Sequence, residues 1–339
     1  MKKVTSKDVA LKAGVSRATV SYVLNNSREG RISEVTVNKV LKAVEELNYV
    51  PNITAKALRS QKSFCIGIYS KRALDLDRYS EIIEVVNKNL TKYDYSLMIC
   101  RGKRSRSGIP SYIEYYLNKK VDGLIIVSDE DLIKPNDLEL IHKYKIPSVL
   151  VDFHRNYQNV NTIDIDYYLG AYEVVDYILK NGYKRVWYYS PNWGVPQEVE
   201  RKQGIYDALK NYNEYEVNFI DIPIKKGEDL SEYFDDIKVK FEENTKKGDV
   251  IITSWSALSI MLTSISNNLG IKISQDIKLV CLGGRKDFNL FGKNIGYSEL
   301  PNKHIGEKAV EIIIDLLKNG NRESVNLKVK PKFIINEAL

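Results

Sequence analysis

From Val4 to Tyr49 the apolar residues recur at helical spacing in three short groups. They are Val9, Ala10 and Ala13; then Val20, Val23 and Leu24; then Val37, Val40, Leu41, Val44 and Leu47. Spacings of three and four residues put each group on one face of a helix. The punctuation agrees. Thr5 followed by Ser6-Lys7-Asp8 has the form of a capping box, and Gly14 suits the left-handed end of a helix. Val15 points back into the core of the unit. Ser16 caps a second helix from Arg17 to about Asn25, and Ser33 caps a third that Asn48-Tyr49-Val50-Pro51 ends. The outer face of the second helix carries Arg17, Ala18, Ser21 and Tyr22.

After Phe64 the period changes. Short apolar runs alternate with amphipathic stretches. Strands are expected at 64–69, 95–100, 124–127, 149–151, 185–189, 217–222, 250–253, 277–282, 325–329 and 333–335. Helices are expected between most of them, among them 79–93, 167–180 and 304–318. Near-continuous apolar strands separated by helices imply parallel sheets covered on both faces. There are enough of them for two Rossmann-like lobes. Ligands of open parallel sheets bind at the carboxyl ends of strands. That rule singles out Tyr69 to Lys71, Arg101, Ser128-Asp129, Asp152 to His154, Ser190 to Trp193, Trp255 with its serine neighbours, and Gly283 to Arg285.

Charge changes the picture of the first segment. Residues 1–62 hold 12 lysines and arginines against 5 acids, a net of +7; the whole chain has 51 against 44, also +7. The remaining residues therefore carry 39 of each sign. A basic module on a neutral body implies that the module meets phosphate and the body meets something else. A three-helix bundle with a merely solvated polar face fits the periodicity equally well. The turn, the small residues Ala10 and Gly14, the hydroxyls of Ser16, Thr19 and Ser21, and the local charge favour DNA.

Other chemistry finds little support. Cys65, Cys100 and Cys281 are far apart in apolar runs and read as buried free thiols, as suits a reducing cytoplasm. His142, His154 and His304 form no ligand spacing with each other or with the cysteines, so no metal is expected. There is no phosphate loop or nucleophile elbow, and catalytic residues and cofactors are expected to be none. The start lacks an apolar signal region, and no apolar run reaches the ~20 residues that span a bilayer.

The pattern VT-x-x-DVA-x-x-AGVS-x-x-TVS-x-VLN, followed by ELNYVPN and A-x-ALRS, resembles the LacI/GalR family of bacterial transcriptional regulators. The resemblance implies an N-terminal all-α helix-turn-helix domain and an α/β bilobed, periplasmic-binding-protein-like body. The bounds read as 1–51 for the DNA-binding domain, 52–62 for a hinge helix and 63–339 for the body. The first lobe would be about 63–163 plus 286–300, and the second about 164–285 plus 301–339. Arg17, Ala18 and Tyr22 would read bases: a guanidinium on a guanine edge, a methyl against thymine, and a stacking or hydrogen-bonding phenol. Thr5, Ser16, Thr19, Ser21 and Asn25 would contact phosphate and set register. Asn52 would cap the hinge helix, and Ala57 and Leu58 would meet the minor groove, with Leu58 wedged between base steps. Arg28 and Arg31 either add backbone contacts or are solvated, and a plain linker helix remains open for 52–60.

In the body the resemblance points to Ser70, Asp152, Trp193, Arg201, Trp255 and Ser256 as effector contacts, Arg201 through R-x-x-G-x-x-x-AL. Two departures stand out. Trp255-Ser256 occupies the place of the usual Asn-Asp, and Gly283-Gly284 that of the usual Asp-Asp. The expected whole is a homodimeric repressor on a pseudo-palindromic operator, with a sugar or sugar-derived effector between the lobes. It would not be an enzyme and would have no membrane partner. A DNA-tethered enzyme, an exported solute-binding protein and an architectural DNA binder are the rival readings.

Overall fold

The computed structural model describes residues 4–24, 32–50, 60–70, 77–106, 108–127, 133–154, 159–225, 228–291, 294–320 and 323–335. The chain divides into two compact units, residues 1–63 and 64–339.

The first unit contains α1 (Ser6–Ala13), α2 (Arg17–Leu24) and α3 (Glu34–Glu46). Local chemistry sets each boundary. The Asp8 carboxylate accepts the Thr5 N–H at 2.8 Å and the Thr5 hydroxyl at 2.6 Å. Gly14 has φ of +66°, and the Val15 N–H donates back to the Ala10 carbonyl at 3.0 Å, closing α1. The Ser16 hydroxyl accepts from the Thr19 N–H at 3.0 Å, and Ser33 accepts from Thr36 at 3.3 Å. Val9, Ala10, Val20, Val23, Val37, Val40 and Ala43 form the core. Leu41 departs from expectation: it is 43% exposed, and Ala43 takes the inward position on α3.

The body holds two six-stranded sheets. The first has the order β11-β5-β4-β3-β1-β2 and the second β12-β10-β9-β8-β6-β7. In the first sheet the strands are β1 (Cys65–Tyr69), β2 (Ser96–Ile99), β3 (Gly123–Val127), β4 (Ser148–Val151), β5 (Asn161–Ile165) and β11 (Asn326–Val329). In the second they are β6 (Arg185–Pro191), β7 (Glu216–Ile222), β8 (Val250–Thr253), β9 (Lys278–Gly284), β10 (Ile295–Glu299) and β12 (Lys332–Ile334). Every pairing is parallel except that of β12 with β10.

Helices cover both faces of each sheet. One face of the first lies under α4 (Asp77–Leu90) and α11 (Asn302–Asn319), the other under α5 (Ser111–Leu117) and α6 (Pro135–Lys143). In the second, α7 (Tyr167–Lys180) and α8 (Pro196–Leu209) cover one face, and α9 (Phe234–Asn244) and α10 (Ser256–Asn268) the other. The fully apolar strands β3, β4 and β8 are buried on both sides, as their sequences require. The helices α7 and α8 approach closely because Gly204 has no side chain: a Cβ there would lie 2.2 Å from the Tyr168 carbonyl oxygen.

The fold corrects the expected lobe bounds. Residues 286–300 belong to the second lobe, where β10 pairs with β9 and Phe288 enters the core. Residues 302–329 belong to the first lobe, where Ile305, Ala309, Val310, Ile313 and Ile314 of α11 pack beside Ile82 and Val86 of α4. β11 pairs with β5, and only β12 returns to the second sheet. The strands β5 and β10 were absent from the sequence expectation. The chain thus passes between lobes three times, at 165–167, 299–302 and 329–332.

Candidate nucleic-acid interface and ligand cleft

On α2 the turn of about 100° per residue places Arg17, Ala18, Ser21 and Tyr22 within an arc of roughly 140°, opposite Val20 and Val23. Arg17, Ala18 and Tyr22 are exposed, and Val20 and Val23 are buried. Tyr22 keeps 53% of its surface open. The Arg17 guanidinium reaches Ser6 Oγ at 3.5 Å, so it lies toward α1.

The hydroxyls around it have structural partners as well. Thr5 belongs to the α1 cap, and Ser16 binds both the Thr19 backbone and its hydroxyl, the latter at 2.9 Å. These residues hold the start of each helix, and the same starts present backbone N–H groups suited to phosphate. Asn25, Asn52, Ala57 and Leu58 lie outside the described residues, as do Arg28 and Arg31.

In the body the carboxyl ends of the two sheets meet at a buried set of charges. Asp152 follows β4 and is fully buried. Its carboxylate lies 2.7 Å from Arg78 on α4 and 3.2 Å from His154 Nε2, and it accepts the Tyr167 hydroxyl at 3.2 Å. Asp152 and His154 have φ of +62° and +31° on either side of buried Phe153. Non-glycine residues rarely adopt such angles, and they cluster where surrounding contacts over-determine a site. Here the restraint is Asp164 of β5, which accepts the N–H groups of Phe153 at 2.6 Å and His154 at 3.2 Å.

The second lobe answers from α8. Glu200 approaches His154 Nδ1 at 3.6 Å and Lys328 of β11 at 3.4 Å. Arg201 is buried, bonds Glu198 at 2.5 Å and lies 4.6 Å above the Tyr167 ring. Glu198 also accepts the Tyr188 hydroxyl at 2.6 Å. Tyr167 is therefore ringed by three cations: Arg201, Arg78 at 6.0 Å and His154 with ring centroids 5.4 Å apart.

Electrostatics follow from this packing. Burial would by itself lower the His154 pKa, but the Asp152 and Glu200 carboxylates reverse the effect and hold it at about 10. Burial would raise Asp152, but Arg78 and His154 keep it well below the usual carboxylate range. Glu200 is lowered against its burial by His154 and Lys328. The imidazole is thus a cation at neutral pH.

The expected effector residues are brought together in part. Arg201 and Asp152 join through Tyr167, and a Cβ at Gly283 would lie 3.7 Å from Arg201 Nη2 and 3.7 Å from the Trp255 Cα. Trp193 and Trp255 stack on each other, centroids 5.1 Å apart and 13° from parallel. Ser256 opens α10. Ser70 is buried at the end of β1, and its hydroxyl has no hydrogen-bond partner among the described residues. Sequence reasoning did not single out Arg78, Tyr167, Glu198, Glu200 or Lys328, and it reached His154 only through the strand-end rule.

The chain matches two family models. Residues 5–52 match bacterial regulatory proteins of the lacI family, and residues 68–337 match periplasmic binding proteins and the sugar binding domain of the LacI family. The HTH-type transcriptional repressor PurR of Vibrio vulnificus is 26% identical over 344 residues, covering 99% of this chain and 98% of that protein. PurR of Salmonella newport is 24% identical over 336 residues, covering 97% and 95%. Among solved structures, the Lac repressor dimer bound to operator and the anti-inducer ONPF aligns with a TM-score of 0.75 at 20% identity, over 99% of each chain. A complex of the transcriptional regulator CelR with cellobiose aligns at 0.64 and 20% identity, over 99% of this chain and 100% of that one.

Proposed function

Because the chain belongs to the lacI family of bacterial regulatory proteins, we infer that α2 reads an operator while the bilobed body reports on a small molecule. The chain is a DNA-binding transcriptional regulator of LacI type. The reading in detail is a cytoplasmic homodimeric repressor on a pseudo-palindromic site, with half-site centres about one helical turn apart. Catalysis has no part in it.

The observation that carries it is the exposed arc of Arg17, Ala18 and Tyr22 on a capped helix whose other face is buried. Arg17 supplies a bidentate donor for guanine, worth about 1–3 kcal/mol of discrimination. Tyr22 and Ala18 supply a ring and a methyl. Thr5, Ser16, Thr19, Ser21 and Asn25 set register on phosphate, and Asn52, Ala57 and Leu58 act at the minor groove. Ser70, Asp152, Trp193, Arg201, Trp255 and Ser256 border the effector cleft. Selection of bound DNA from a random pool tests the reading. Wild type should enrich a two-fold symmetric site, and Arg17→Ala and Tyr22→Ala should each lose preference at distinct positions. Sequence-independent binding by all three proteins would refute it.

A further inference from the structure

Most of the cleft's carboxylate oxygens are committed within the protein, while three of its buried hydroxyls and one Arg201 guanidinium N–H are not. Asp152 serves Arg78, His154 and Tyr167; Glu198 serves Arg201 and Tyr188; Glu200 faces His154 and Lys328. Asp164 holds two backbone N–H groups, and Asp166 caps α7 at Leu169 and lies 3.6 Å from Lys328. Among these carboxylate oxygens only Glu200 Oε2 is buried without a hydrogen bond to a described residue, and it lies 3.4 Å from Lys328.

The buried hydroxyls of Ser70, Ser190 and Ser254, and Arg201 Nε, have no hydrogen-bond partner among the described residues. The three serines sit at the carboxyl ends of β1, β6 and β8, where parallel sheets bind ligands. Arg201 only donates. Beside it β9 brings no side chain: a Cβ at Gly283 would lie 3.1 Å from the Ser254 carbonyl oxygen and 3.7 Å from Arg201 Nη2. Buried polar groups without partners are rare in folded proteins and need a ligand or water to satisfy them.

Glu200 adds a second, independent observation. It is a carboxylate of the second lobe docked on two cations of the first, His154 and Lys328. Neither imidazole nitrogen makes an aligned hydrogen bond among the described residues, so these contacts are ionic and loosely directed. The protein has placed one of its own anions at a site built of cations.

We infer that the effector of this cleft is a small anion rich in acceptor oxygens, a carboxylate or a phosphate ester, rather than a neutral polyol. Its anionic group binds Arg201 and takes over the cations that Glu200 holds. Displacing Glu200 removes an ionic bridge between the lobes, which couples occupancy to lobe closure. The inference rests on the ligand-responsive reading above and deepens it.

Calorimetry and thermal shift at constant ionic strength test it, using glucose, glucose 6-phosphate, gluconate and inorganic phosphate on the full-length protein. At least one anionic sugar should stabilise the protein where glucose does not, and the two anionic arms separate phosphate from carboxylate. Glu200→Gln, which leaves His154 to Asp152 alone and Lys328 to Asp166 alone, should tighten inorganic phosphate by about tenfold. Arg201→Gln should abolish the response. The inference fails if glucose matches its anionic forms, if none of the three anions binds, or if Glu200→Gln leaves phosphate affinity unchanged. Anisotropy with the selected DNA is run on the same proteins. Loss of DNA binding in every one would overturn the regulator reading and leave the anion result standing.

Discussion

Replacing Asp152 with Asn removes one negative charge and almost no volume. The backbone is indifferent, because Asn tolerates φ of +62° at least as well as Asp. The consequence is electrostatic. Arg78 and His154 both face this carboxylate, and their side chains are 21% and 1% exposed. Removing one partner of a buried pair typically costs about 3–5 kcal/mol. His154 can shed its proton, and Arg78 cannot but would still meet the Asn amide oxygen, so the lower end applies. A loss near 3 kcal/mol should lower the melting temperature of the body by about 6–12 °C, given ~2–4 °C per kcal/mol for domains of this size.

The pH profile should change too. The His154 pKa is raised from 6.5 to about 10 on folding. Its contribution is therefore fully present below about 6.5 and is lost as pH rises through about 10. The opposing groups Asp152 and Glu200 are lowered, so their contribution is present above the ordinary carboxylate range and is lost in acid. Wild type should be most stable between these windows. Asp152→Asn should flatten the alkaline side, with Glu200 the remaining support for the imidazolium. Differential scanning fluorimetry between pH 5 and 10 measures both effects. An unchanged midpoint with an unchanged alkaline slope would refute the reasoning.

Other outcomes are equally open to measurement. Gly204→Ala drives a methyl against the Tyr168 carbonyl on a packed helix, and should lower stability in urea by about 2–3 kcal/mol. A wild-type midpoint would mean that α7 and α8 are farther apart. Ser16→Ala removes the α2 cap, worth about 1 kcal/mol, and should weaken all DNA alike, in contrast to the altered preference of Tyr22→Ala. Burial pushes the thiols of Cys65 and Cys100 up to about 11 and about 12, so all three buried cysteines should react with a thiol reagent only after unfolding. Rapid labelling of the native protein would contradict the placement of these strands.

The head was legible because its signals are short-ranged. Thr5 with Asp8, Gly14, Ser16 and Ser33 act within five residues, and each does what its type predicts. The strands β1, β3 and β8 were equally plain as apolar runs. NTIDI and IGYSE were not, because β5 spends Asp164 on the turn after β4 and β10 mixes Gly, Ser and Glu with its buried positions. The lobe of α11 could not be read either: an apolar stripe shows that a helix is covered, not which sheet covers it. In the cleft, the strand-end rule and the family motif found Asp152 and Arg201. Their settings came from α4, α8 and β11, segments with no local mark of meeting. Trp193 and Trp255 were expected as effector contacts, and each has spent one face on the other.

The order in which the lobes are completed bears on synthesis. Residues 166–299 supply every element of the second lobe except the short β12, so that lobe can fold while the ribosome is still working. The first lobe begins earlier in the chain but lacks α11 and β11 until near the end. Until then the apolar face of Ile66, Ile68, Ile125 and Val149 has only α4 over it. A nascent chain stalled near residue 300 therefore presents a finished second lobe and an open first one, and it is this sheet that a chaperone would have to shield.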